Sequence, residues 1–110
     1  MKYIDKIALA VRDELKPEDR PAEHGKALYE LYALLVLTRG HETSLADVHD
    51  AWSVWMGRIN PEHEALVPFG TLSRLKQDED QPFRDAIRRV AADPTLASLV
   101  HRASAHDTSR

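Results

Sequence analysis

Residues 21–40 read PAEHGKALYELYALLVLTRG, and their pattern decides the fold. Leu28, Leu31, Tyr32 and Leu35 recur at helical spacing and make one apolar face. Ala33, Leu34, Val36 and Leu37 make the other side apolar as well. A helix that is apolar on most sides has to be enclosed by other helices or buried in an oligomer interface. This one is therefore expected at the centre of the fold, with a homodimer through it as the expected assembly. Pro21 suits a first turn and Gly40 suits the position just past a helix C-terminus, so the helix is drawn from about Pro21 to Arg39.

The same period runs outward on both sides. Ile4, Ile7, Ala8, Val11 and Leu15 form one stripe of a first helix, which Lys16-Pro17 ends. Ser44-Leu-Ala-Asp47 resembles a capping box with Asp in place of Glu, and it opens a helix carrying Leu45, Val48, Trp52, Trp55, Met56 and Ile59. Asn60-Pro61 stops that helix. A helical turn is expected over Glu62–Leu66, and a short helix capped by Thr71 with Leu72 and Leu75. Gln77–Gln81 reads as an acidic loop. Asp80 then caps a helix with Phe83, Ile87 and Val90 on one face, running to about Ala92. Asp93-Pro94 opens a last short helix with Leu96, Leu99 and Val100. No window alternates as a strand would. The expected fold is all-α, a compact single-domain bundle of five to six helices over residues 1–103, with 104–110 as a frayed polar tail.

Composition bounds the function. A chain of 110 residues buries roughly 65% of its unfolded surface, enough for one core. A net charge of -3 argues against a nucleic-acid partner, because phosphate binding is driven by basic residues. The absence of cysteine removes disulfides, thiolate nucleophiles and Cys-rich zinc sites. The apolar runs fall far short of the roughly 20 residues that span a bilayer, and residues 1–16 do not read as a signal peptide. A cytoplasmic protein with no membrane contact is expected.

Six histidines stand at 24, 41, 49, 63, 101 and 106, but none forms a His-x3-His pair, so no metal and no cofactor is expected. Asp47, His49 and Asp50 read as a solvated helix face. Ser53 lies one turn from His49, yet no glycine-rich turn offers an oxyanion hole, so an enzyme is not expected. Arg84, Arg88 and Arg89 make a basic patch that Arg74 can join. A salt-bridged surface accounts for it, with Asp85 neutralising Arg89 at i, i+4, although paired arginines also bind anions.

The densest chemistry lies in Val48–Ala91, VHDAWSVWMGRINPEHEALVPFGTLSRLKQDEDQPFRDAIRRVA. Trp52 and Trp55 are three apart and face roughly one way. Core packing is the default for such a pair, and stacking on a ligand the functional reading. The blocks His49-Asp-Ala-Trp52, His63-Glu-Ala-Leu-Val-Pro-Phe69, Leu72, Gln77-Asp-Glu-Asp80 and Phe83 resemble the ryanodine-receptor repeat domain over about 40 of the 110 residues. The family's Gly-Trp-x-x-Gly stretch is missing, Asp50 stands for Glu, Glu64 for Pro and Phe69 for Tyr. The chain is also similar to small uncharacterised proteins of actinomycetes and their phages. The resemblance implies ligand sensing or protein interaction, with nucleotide-like ligands. The expected function is thus a non-enzymatic binding module for a small nucleotide-like ligand or a protein, lined by His49, Trp52, His63, Phe69 and Arg84. The alternative is a helical DNA-associated or regulatory protein, of a kind a phage could encode, acting through Arg74, Arg84, Arg88 and Arg89.

Overall fold

The apolar circumference of the central helix is covered from three sides. A computed structural model describes residues 2–100. Helix α1 spans Tyr3–Glu14, α2 Gly25–Thr38, α3 Leu45–Ile59, α4 Arg74–Asp78, α5 Gln81–Ala92 and α6 Ala97–Val100. Among the described residues there is no strand. Four helices of 12 to 15 residues carry the fold, fewer than the five to six expected. The difference lies in α4 and α6, of five and four residues, which are too short to present a core face of their own. The expected tail, together with His101 and His106, lies outside the described residues.

Helix α2 packs against α1, α3 and α5. Its buried side chains are Leu28, Tyr29, Tyr32, Ala33 and Val36. The inner face is therefore rotated from the expected one, and Leu31 and Leu35 flank the core, partly buried. Leu34 is the large apolar residue of α2 left exposed among the described residues. Ile7, Ala8, Val11 and Leu15 close the core from α1, Val48, Ala51 and Trp55 from α3, and Ala86, Ile87 and Val90 from α5.

The helix ends follow local chemistry. Helix α2 begins at Gly25 and not at Pro21, because His24 takes a left-handed φ of 61° that breaks any helix through 21–24. The Trp55 indole N–H donates to the His24 carbonyl at 2.8 Å and holds that turn on α3. Gly40 also has positive φ, 56°, and leads through a 3-10 turn, Gly40–Glu42, into α3. Fully buried Thr43 closes this corner: its hydroxyl donates to the Gly40 carbonyl and its own carbonyl accepts from Arg88 of α5. The Ser44–Asp47 capping box forms as read, with Asp47 N–H on the Ser44 hydroxyl at 3.0 Å and Ser44 N–H on the Asp47 carboxylate at 2.9 Å. Burial pushes the Asp47 carboxyl up, but the Ser44 N–H and the Arg39 guanidinium more than offset it and hold it below its ordinary value.

Ile87 and Leu75 separate core from surface. Ile87→Ala should cost about 3 kcal/mol in urea unfolding, because a fully buried side chain leaves a cavity between α2 and α5. Leu75→Ala, at a position 75% exposed, should stay within about 0.5 kcal/mol.

Candidate functional site

Asn60 to Ser73 is where the chain leaves helical structure, and this segment builds one wall of a cleft. The expected helical turn at 62–66 is instead a pair of turns, at 61–62 and 64–65. A 3-10 turn follows at Phe69–Thr71, and Ser73, not Thr71, caps α4 by accepting the Lys76 N–H at 3.3 Å. Irregular backbone needs partners for its polar groups, and here side chains supply them. His49 Nε2 donates to the Val67 carbonyl at 2.7 Å. Gln77 Nε2 donates to the carbonyls of Phe69 and Leu72. The Ala65 N–H donates to His63 Nδ1 at 3.0 Å.

The bond to Val67 corrects the reading of His49 as part of a solvated face. It is only 4% exposed, because the 60–73 segment folds over α3 and covers it. A carbonyl can only accept, so Nε2 carries the proton. Ser53 Oγ lies 3.5 Å from that nitrogen but donates at 2.7 Å to the His49 carbonyl. The hydroxyl and the imidazole are therefore not arranged as nucleophile and base.

The rings of this region form one chain of contacts. His49 stacks on Trp52 with centroids 5.6 Å apart, and Trp52 meets His63 edge-on at 5.1 Å. Phe69 packs on His49 at 6.0 Å. Trp55 belongs to the core, while Trp52 is only partly buried and opens onto the cleft. The cleft has a volume of about 360 Å³. Leu28 and Trp55 line it from the core side, with Trp52, His49 and His63 on one wall and Phe83 and Leu72 on the other elements. That volume suits a small molecule, as does an apolar lining interrupted by a few polar groups.

Sequence reasoning missed the charged residues of the cleft: Asp19, Arg20, Lys76, Glu79 and Asp80. Arg20 is held rigidly, donating to the carbonyls of Arg12 and Leu15 at the end of α1. Lys76 pairs loosely with Glu79 at 3.6 Å. Asp80 stands where a cap was expected, but its carboxylate does not cap. An N-cap residue needs extended backbone. Glu79 and Asp80 instead keep near-helical angles, so the expected acidic loop is a helical junction between α4 and α5. Among the described residues the Asp80 carboxylate takes part in no hydrogen bond and no ion pair. Burial raises its carboxyl, nearby His49 partly offsets this and Glu79 adds to it, which together leave it pushed up to about 6.

Two expected residues fall elsewhere. Neighbouring helix positions point about 100° apart. Phe83 thus enters the cleft while Arg84 turns to a second, shallower groove, where Phe69, Arg74 and Arg88 also lie. Each of those arginines is engaged: Arg84 with Asp85 at 3.0 Å, Arg74 with Asp78 at 3.6 Å, Arg88 with the Thr43 carbonyl at 2.9 Å. Arg89 leaves the expected ridge, since it pairs with Glu14 of α1 at 2.6 Å and not with Asp85. Among the described residues no three His, Asp or Glu side chains gather as metal ligands. No described helix is long and apolar enough to cross a membrane.

These features define a small all-helical protein with an aromatic-walled, charge-lined cleft. The chain belongs to the family described as a domain of unknown function (DUF7701), whose pattern matches residues 2–92. Comparison with curated proteins and with solved structures found no match.

Asp80 should make stability depend on pH in a definite direction. Its carboxyl releases a proton near its ordinary 3.8 when unfolded but only near 6 when folded, so the folded state loses stability as pH rises across that window. Asp80→Asn removes the charge. It should gain about 1 kcal/mol at pH 7.5, allowing for solvent screening at this partly open position, and lose most of that gain at pH 4. Urea unfolding of both proteins at the two pH values checks this.

Proposed function

We propose that the protein is a non-enzymatic binding module whose cleft takes a small, planar, nucleotide-like ligand. The observation that carries the reading is the split between the two tryptophans. Trp55 is buried, bonds to the His24 carbonyl and forms only the core side of the cleft, whereas the more exposed Trp52 stands at its wall between two imidazoles. An aromatic wall of this kind contributes stacking to a flat ring whatever its substituents. Lys76 lines the same cleft in a loose pair with Glu79 and suits a phosphate, and Arg20, though its guanidinium is engaged by the Arg12 and Leu15 carbonyls, adds positive charge there. The resemblance to the ryanodine-receptor repeat domain points the same way. The Gly-Trp stretch of that family is missing, yet the 60–73 segment still supplies a wall, fastened by His49 and Gln77.

The DNA-associated alternative draws on the groove of Arg74, Arg84 and Arg88. It has less support, because those side chains already have partners and Arg89 is turned away.

Titration of the full chain with nucleoside monophosphates should quench the emission of Trp52 and raise the melting temperature. Trp52→Phe should keep the fold and lose the quench. Lys76→Ala should weaken nucleotides several-fold while leaving the bare nucleosides unchanged. A flat response across the panel in both emission and melting temperature overturns the reading.

A further inference from the structure

The Asp80 carboxylate is a hydrogen-bond acceptor held in an aromatic cleft, and among the described residues nothing donates to it. An ionised carboxylate can only accept, and two oxygens side by side match two adjacent N–H donors. Asp80 is half-buried, and drawing a carboxylate part-way out of water raises the value of a donor that replaces the lost hydration. This one sits at the junction of α4 and α5, where near-helical backbone denies it the capping role its position offers. Resting on the reading of the cleft as a nucleotide-like site, we propose that Asp80 selects rings presenting an amidine-like donor edge, so that guanine is preferred over adenine. Guanine offers a ring N–H beside an amino group. Neutral adenine offers an amino group beside a ring acceptor, which places a lone pair against the carboxylate. Hypoxanthine keeps the ring N–H and lacks the amino group, so it falls between them.

The setting suits that role. A ring lying along Trp52 has its edge, not its face, available to a side chain on another element, and Asp80 comes from the α4–α5 junction while Trp52 comes from α3. Burial already disfavours the bare charge, so a donor pair from the ligand supplies what the protein withholds. The charged and titratable groups facing the same space are His49 from α3, His63 from the 60–73 segment, Lys76 and Glu79 from α4, and Asp19 and Arg20 from the connection before α2. Helix α2 contributes Leu28 and no charge.

The test is calorimetric titration of the full chain with guanosine, inosine and adenosine monophosphates at pH 7.5 and 5. The expected order is guanosine, then inosine, then adenosine, with the first about tenfold or more tighter than the last, since a polar site left unmatched discriminates strongly. Lowering the pH to 5 protonates Asp80 and should narrow that ratio. Asp80→Asn should reduce the ratio to about one and abolish its dependence on pH, which assigns that dependence to Asp80. Equal binding of the three nucleotides, or an unchanged ratio in Asp80→Asn, overturns the assignment to Asp80 and leaves the stacking cleft standing. Failure of all three to bind overturns both.

Discussion

Enclosing α2 is the constraint from which the rest of the structure follows. A helix with so few polar positions cannot leave a broad face in water without losing roughly 25 cal/mol for every Å² of apolar surface. Three partners are needed to cover it, and α1, α3 and α5 are the helices long enough to serve. Once they are packed around Leu28, Tyr32 and Val36, the ends of α3 and α5 are fixed relative to each other. The chain between them must cross from Asn60 to Ser73 without a helix of its own. The cleft is the space that crossing leaves over the core. Its position is thus a consequence of covering α2, and its chemistry is set by the side chains that α3 and the α4–α5 junction happen to present there.

Two polar side chains bordering that space are treated in opposite ways. His49 is almost fully buried, and its ring N–H is satisfied by the Val67 carbonyl, so the imidazole works as a pin for the irregular segment. A buried imidazole without that bond would cost on the order of 1–3 kcal/mol. Asp80 is less buried and is left without a bond among the described residues. The fold had a simple alternative available, an extended Asp80 capping α5, and does not use it. Departures from local rules that carry no structural gain are concentrated at functional sites, where stability is given up for binding. That contrast, more than the volume of the cleft, sets Asp80 apart from its neighbours.

Much of the fold was legible because it depends on local rules. The stripe of α1, the stop at Lys16-Pro17, the Ser44–Asp47 capping box and the stop at Asn60-Pro61 each involve residues within one or two turns of each other. What failed depends on contacts between distant segments. His49 shares the stripe of Leu45, Trp52 and Met56 on α3, but what it meets there is set at a distance, by the Val67 carbonyl 18 residues on. The start of α2 was misplaced because His24 is held in a left-handed conformation by an indole 31 residues away. The tryptophans are three apart and nearly equivalent by spacing, yet one bonds to the His24 carbonyl and the other meets His63. Asp80 was misread at the level of the backbone: its residue type and its Pro82 neighbour both signal a cap, while Glu79 and Asp80 carry near-helical angles on from α4.

The arginines give the same lesson with the opposite sign. Read along the chain, Arg84, Arg88 and Arg89 make a salt-bridged surface, with anion binding as the functional alternative. In the fold Arg84 pairs with its neighbour Asp85, while Arg88 and Arg89 hold elements together. Arg88 reaches across to the buried corner at Thr43, and Arg89 joins α5 to the end of α1 through the Glu14 carboxylate and carbonyl. A guanidinium committed to a carbonyl at a helix end is worth more to the fold than the same group waiting in water, since it satisfies an acceptor the helix cannot satisfy itself. The basic stretch therefore spends its chemistry inward, and the acidic stretch before it, Gln77–Asp80, ends in a carboxylate turned toward a cleft. Charge that has found its partner explains stability, and charge that has not is where a ligand's contribution is to be sought.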